Sequence, residues 1–160
     1  PGIDNPMVTT AMELLEGKSH AGKNVVIIGG NMIGCETADF IAEYGKNVTI
    51  VEMLSEIGQD IAVVPKPYTL SKLKRMGVKM LTEAKVTAIE DNKVIYEKDG
   101  NKYTIEDVDT VVIAAGMESV NELAQELKAL DKPIHVVGDA SNVSIIMEGL
   151  ADVYDKLINI

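Results

Sequence analysis

The residues in this sequence that could do chemistry together are a glycine-rich run, Gly29, Gly30, Asn31, Met32, Ile33 and Gly34, and an acid, Glu52, that follows it. A pyrophosphate needs a tight turn, a close approach of backbone, a helix packed against a strand, and helix N-terminal amides facing its oxygens. Gly29 suits the turn and Gly34 the packing. Asn31 stands at the middle position, where glycine is usual and a side chain would crowd the phosphate. Gly30 beside it adds freedom without removing that Cβ. Asparagine tolerates the left-handed backbone region, so if a positive φ is needed there the site is expected to be weakened rather than abolished. Glu52 lies 18 positions after Gly34 and 23 after Gly29, where a carboxylate takes the hydroxyls of an adenosine ribose. Its charge repels a 2′-phosphate and no arginine follows until Arg75, so NAD(H) is expected over NADP(H).

The elements that must position these residues follow from periodicity. NVVII, residues 24–28, is a continuous β-branched run, as in a strand covered on both faces. Ile33, Thr37, Phe40, Ile41 and Tyr44 then fall at helical spacing until Gly45 ends the helix. NVTIV, residues 47–51, is a second buried strand, and the three together make a βαβ unit with parallel pairing and a right-handed crossover. Upstream, residues 1–5 have linker composition, and residues 7–16 give a short helical pattern through Met12 and Leu15 that Gly17 closes. Downstream, a loop leads to Pro65 and Pro67 and a helix with Leu70, Leu73 and Met76, stopped by Gly77 before the strand VKML.

KVTAIED, KVIYEKDG and NKYTIEDV then alternate in part and are joined by turns at Asp91-Asn92 and Asp99-Gly100, which predicts a three-stranded antiparallel meander. DTVVIAAG returns to a buried parallel strand ending at Gly116. Beyond Met117, Ser119 with Glu122 has the pattern of a capping box, and Leu123, Leu127 and Leu130 form a helical stripe. KPIHVVGDAS reads as strand and turn, and Ile146, Leu150, Val153 and Leu157 line a last helix. Two strand-and-helix units this short cannot cover a sheet alone, so they read as the returning part of a second domain. The fold class is therefore α/β: a Rossmann-like βαβ parallel sheet with an inserted three-stranded antiparallel meander, plus a partial returning segment.

Bulk properties narrow the function. At 160 residues, 46% apolar, the chain can bury a core. A net charge of −10 without a Lys/Arg cluster argues against nucleic acid or an anionic membrane as partner and for small molecules or proteins. One cysteine, Cys35, leaves no internal disulfide, CxxC pair or cysteine-ligated cluster, and suits a reducing compartment. With no apolar run of about 18 residues and no secretory leader pattern, a cytoplasmic location is the expectation. The start at Pro1, without an initiator methionine, reads as a segment of a longer polypeptide, with processing as the alternative origin of the same end.

Other reactive residue types have plainer readings. Cys35 in the first helical turn is read as a small buried filler over a reactive thiol. Glu36 is either a partner of the helix dipole or a residue lining a nicotinamide pocket, and the residues alone favour the first. His20 and His135 lack neighbours at metal-ligand spacing and are read as structural, so no metal is expected.

The order of βαβ unit with glycine turn, second strand ending in acid, meander, VVIAAG, and a strand ending in VVGDAS resembles the pyridine nucleotide-disulfide oxidoreductase superfamily, in which an NAD domain is inserted into an FAD domain. More narrowly, GKNVVIIGGNMIGCETADFIAEYGKNVTIVEMLSEIGQDI is similar to the C-terminal FAD/NAD region of NADH:flavin oxidoreductases related to 2,4-dienoyl-CoA reductase and 2-enoate reductase, fusions with an old yellow enzyme-like barrel. The resemblance implies a linker and short helix over residues 1–20, an NAD(H)-binding domain over 21–116, and the C-terminal part of an FAD-type domain over 117–160, its first part absent. It implies NADH with pyrophosphate along residues 29–34, ribose on Glu52 and nicotinamide near Glu36, with Gly116 closing the domain and Asp139 matching an acid that contacts the flavin ribityl chain. Hydride would pass from NADH to FAD, then electrons through a 4Fe–4S cluster to FMN, for an enoate, enoyl-type or other acceptor. The FAD segment and flavin barrel would be partners within the same polypeptide, and this chain alone is expected to bind NADH without oxidising it. Asn31 and Ala115, the latter where threonine is common, depart from the family pattern.

Two other readings compete. A non-catalytic Rossmann-like module would explain Asn31. An S-adenosylmethionine-dependent methyltransferase would share the glycine turn and the acid, although the meander counts against it.

Overall fold

The computed structural model describes residues 1–130 and 132–158. The chain forms two compact units, the first Pro1–Gly116 and the second starting at Met117. In chain order the first unit runs β1 (Val8–Thr10), α1 (Ala11–Leu15), β2 (Asn24–Ile28), α2 (Met32–Glu43), β3 (Asn47–Val51), α3 (Pro65–Arg75) and β4 (Lys79–Leu81). It continues through β5 (Lys85–Glu90), β6 (Lys93–Lys98), β7 (Asn101–Ile105) and β8 (Thr110–Ile113). Five strands form one parallel sheet in the order β1-β8-β2-β3-β4, and β5-β6-β7 form the expected antiparallel meander. From β2 the chain winds outward to β3 and β4, and β8 returns to the other side of β2, so the order reverses there. A crevice outside the carboxyl ends of strands at such a reversal is where α/β sheets bind ligands.

Successive residues of a strand face opposite ways, and the β-branched runs of the sheet fill a core on each face. Val25, Ile27, Val48, Ile50 and Val112 join Leu14, Ala38, Ile41 and Leu73 on the helix side. Val26, Val51 and Val111 join Ala84, Ile89, Val94 and Val108 on the meander side. Val25, Val26 and Ile27 are all buried, because a sheet sandwiched in this way has no wet face.

Four local expectations change. The segment read as linker and helix starts with an edge strand: β1 pairs with β8, and Thr10 ends it by capping α1. The Glu13 amide donates to Thr10 Oγ1 at 3.2 Å and the Thr10 amide to Glu13 Oε2 at 3.0 Å. That reciprocal pair fixes the helix start later than hydrophobic spacing suggests. On α2 the buried stripe is Gly34, Cys35, Thr37, Ala38 and Ile41, whereas Phe40 and Tyr44 are exposed and pack edge to face on each other.

In the second unit α4 (Glu122–Leu127) starts after Asn121 with no side-chain cap, so the Ser119–Glu122 box does not form. Glu122 opens that helix instead of sitting in its third position. Residues 132–137 form no strand; the unit has no other strand among its described residues to satisfy their backbone groups. A 3₁₀ turn, Gly138–Ala140, and α5 (Ile146–Leu157) follow. Asp152 on α5 accepts from the Gly138 amide at 3.0 Å and pairs with Lys156 at 2.8 Å, and Lys156 beside it holds its carboxyl below the usual range. The last two positions of the expected 117–160 segment, Asn159 and Ile160, lie outside the described residues. No helix among the described residues is long and apolar enough to cross a membrane.

The stripe on α2 makes a prediction. Ile41→Ala should cost about 3 kcal/mol through lost contact and an unfilled cavity, and Phe40→Ala less than about 1 kcal/mol as a surface change. Urea unfolding of the two variants measures both, and equal losses would restore the stripe that spacing suggested.

Candidate functional site

The site begins where β2 turns into α2. Gly29 has φ +108°, a conformation in which a Cβ would overlap the Ala114 carbonyl oxygen, and a Cβ on Gly34 would overlap the Gly29 oxygen. Both positions therefore require glycine, one for the turn and one so that the first helical turn can lie against the strand.

Asn31 behaves differently from its expectation. Its backbone is extended, with φ −73°, so no left-handed conformation is needed there. It is the N-cap of α2: Oδ1 accepts from the Gly34 amide at 2.9 Å. Its Nδ2 donates to the Ala114 oxygen at 2.8 Å, tying the helix start to the end of β8. Asparagine here is a cap and a cross-strand tie.

The backbone donors of the turn can be accounted for one by one. The Gly29 amide donates to Val51 O at 3.0 Å, Gly30 to Glu52 Oε2 at 2.6 Å, Met32 to Asp60 Oδ1 at 2.8 Å, and Gly34 to Asn31. The Asn31 and Ile33 amides have no acceptor among the described residues. Those two N–H groups, at the positive end of a 12-residue helix, are available to an anion.

Glu52 lies beside them. It is 7% exposed, with Oε2 on the Gly30 amide and Oε1 accepting from the Leu54 amide at 2.7 Å. Each oxygen keeps a lone pair, so the carboxylate can also accept from hydroxyls. It faces a cavity of about 400 Å³ bordered by Gly29, Asn31, Met53, Leu54 and Lys85, at the carboxyl ends of β2 and β3. A larger hollow of about 520 Å³, lined by His20, Phe40 and Tyr44, includes none of the turn's residues, and the Lys46 ammonium at its rim is bound to Ala21 O.

The loop after Glu52 straps the turn. The Gly58 amide donates to Gly30 O at 2.6 Å, the buried Ile57 side chain covers Gly30, and Asp60 takes the Met32 amide. Nothing in the sequence singles out Asp60, Leu54 or Lys85, because this segment offers only an undifferentiated loop and a strand start.

The remaining candidates are placed as follows. Met32 and Ile33 are half-buried against the helix-side core. Glu36 is exposed on α2, and its side chain makes no hydrogen bond among the described residues. Gly116, exposed with φ +108°, follows β8. Asp139 belongs to the second unit, where Oδ1 accepts from the Ser144 amide at 3.2 Å.

Comparison with known proteins adds the family. The profile described as pyridine nucleotide-disulphide oxidoreductase matches residues 2–141. The chain belongs to this family. It is 31% identical to a metal reductase of Desulforamulus reducens over 94% of the chain and 27% of that protein. It is 35% identical to an NADH oxidase of Thermoanaerobacter brockii over 92% of the chain and 23% of that protein. Among solved structures, a 2-naphthoyl-CoA reductase superposes with a TM-score of 0.87 at 33% identity, over 99% of this chain and 24% of that one. The chain thus spans about a quarter of the length of these relatives. Membership in an oxidoreductase family removes the methyltransferase reading.

The thiol beside the turn supplies a test. Burial, with Asp60 and Glu36 nearby, pushes Cys35 up from 9.0 to about 11. Native Cys35 should therefore resist iodoacetamide at about pH 8 and react only after unfolding. Because the folded state holds the proton more tightly, the stability this thiol contributes is complete below pH 9.0 and is lost as pH rises through about 11. Mass spectrometry of the alkylated chain reads the first effect, and rapid native labelling would show the thiol to be accessible and ionised.

Proposed function

We propose that this chain is the NADH-binding module of a multidomain flavin-dependent oxidoreductase. In this reading residues 21–116 are the NAD(H)-binding domain, and residues 117–160 are the C-terminal part of an FAD-type domain. One observation carries it: two free amides at the start of α2 lie next to a buried carboxylate that opens onto a cavity at the strand ends. The donor set fits a dinucleotide. The amides of Asn31 and Ile33 would hold pyrophosphate, Glu52 the adenosine ribose hydroxyls, and Met53 and Leu54 the apolar wall for adenine.

When bound, NADH would supply a hydride, and FAD, with FMN and a 4Fe–4S cluster elsewhere in the proposed full-length protein, would supply the chemistry that takes the electrons onward. The part this chain plays is placement. Gly29, Gly34 and Asn31 fix the amides, and Glu52 fixes the ribose and discriminates by its charge against a 2′-phosphate. Glu36 and Gly116 would lie toward the nicotinamide. Asp139 is the flavin contact this chain would add, and one carboxylate that also holds the Ser144 amide does not make a flavin site. The chain alone is therefore expected to bind NADH without oxidising it.

The relatives' names, a metal reductase, an NADH oxidase and a 2-naphthoyl-CoA reductase, point to different acceptors although this part of each is alike. A part that stays alike among proteins so differently named supports an NADH-handling role for this chain, with an enoate, enoyl-type or other acceptor selected elsewhere in the polypeptide. Free amides are usual at a helix start; what favours the nucleotide reading over a purely structural module is that they lie next to a buried carboxylate opening onto a cavity at the strand ends.

Calorimetric titration tests the reading. NADH should bind at least about tenfold more tightly than NADPH, and Glu52→Gln should lower NADH affinity by about tenfold while narrowing the gap, since its amide turns a donor toward the Gly30 or Leu54 N–H. Equal affinity for the two nucleotides would remove Glu52 from the recognition role.

A further inference from the structure

The Met32 amide is the third donor on the exposed rim of the turn, and it is occupied by a side chain of the chain itself. Asp60 Oδ1 sits 2.8 Å from that nitrogen, at the helix N-terminus where an anionic ligand would place an oxygen. We propose that Asp60 is an internal competitor for the phosphate site, one that lowers dinucleotide affinity and leaves the amide when the pyrophosphate arrives. The proposal rests on the nucleotide reading above and adds to it a residue that sets the strength of binding.

Geometry supports it from three directions. First, Asp60 is exposed and comes from the loop, not from the sheet or a helix, so its carboxylate can leave without disturbing the core. The strap keeps two other fastenings when it does, the Gly58 amide on Gly30 O and Ile57 over Gly30. Second, the Asn31 and Ile33 amides flank Met32 in sequence. A ligand reaching both meets Asp60 between them. Third, the charge balance is wrong for an anion. Asp60, Glu36 and Glu52 all act on the Cys35 thiol in the first turn of α2, against the single ammonium of Lys66, and Lys66 is itself paired with Glu56 at 2.7 Å. A pyrophosphate brought to that turn is repelled unless one carboxylate withdraws. The Glu36 side chain is exposed and holds none of the turn's amides; of the two carboxylates that occupy those amides, Asp60 is held by a single hydrogen bond, whereas Glu52 is held by two and is buried.

The sign of the effect separates this role from a structural one. A residue that merely organises the loop would weaken binding when removed, but a competitor strengthens it. NADH and adenosine, which has no phosphate, should be titrated calorimetrically into the native chain, Asp60→Asn and Asp60→Ala. The expected result is NADH affinity raised about fivefold in Asp60→Asn, and by no less in Asp60→Ala, with adenosine affinity unchanged. The gain should shrink at high salt, where the lost repulsion is screened. Without ligand both variants should melt lower than the native chain, because α2 loses an acid at its N-terminus, so affinity and Tm move in opposite directions. If adenosine and NADH both bind but NADH affinity is unchanged or weaker in the variants, Asp60 is a loop fastening and the proposal is overturned while the nucleotide reading stands. If none of the three chains takes NADH or adenosine, both fall. The Asn variant keeps the shape of the side chain and so remains informative if the Ala variant does not fold.

Discussion

The carboxylate of Glu52 is the interaction on which the rest of the site depends. It closes β3, yet its two oxygens take amides from two different segments: Gly30, in the turn between β2 and α2, and Leu54, at the start of the following loop. Charge-assisted bonds of this kind are short and stronger than neutral ones, and here both are formed by a group that is almost wholly out of water. A buried acid without such partners would be prohibitively placed. With them it fixes the distance between the glycine turn and the second strand end, the spacing that a ribose and its pyrophosphate would span in the proposed site.

Everything around that carboxylate follows from the layers. Helices on one face and the meander on the other keep β2 and β3 dry, so the strand ends are rigid where the turn leaves them. Gly29 and Gly34 bring α2 close to β2, and Asn31 ties its first turn to Ala114 at the end of β8. The turn is held from three strands, and its free amides are consequently fixed in direction. A preorganised donor pair of this sort binds an anion without the ordering penalty that a mobile loop incurs.

Much of this is legible in the residues. The β-branched runs, the Asp99-Gly100 hairpin turn and the spacing from Gly34 to Glu52 report directly on the strands, the meander and the meeting of the turn with Glu52, because each is a local pattern with one good structural solution. What escapes the sequence depends on tertiary partners. Three residues are too short a run to announce β1, which exists because β8 offers an edge. Position alone draws attention to the backbone of Asn31, whereas its side chain is the operative part, and only the place of Ala114 shows why. KPIHVV has the composition of a strand, but a strand needs a neighbour, and the described residues of its unit supply none. Asp60 carries no local signal at all; its bond to the Met32 amide exists because a loop folds back over the turn.

The most direct test of the nucleotide site is amide chemical-shift mapping of the 160-residue chain as NADH is added. The largest shifts are expected at Asn31 and Ile33, where free N–H groups gain phosphate oxygens, with Gly30 and Leu54 following as Glu52 takes the ribose. Shifts confined to the hollow near His20 and Tyr44, or none at residues 29–34 at saturation, would contradict it.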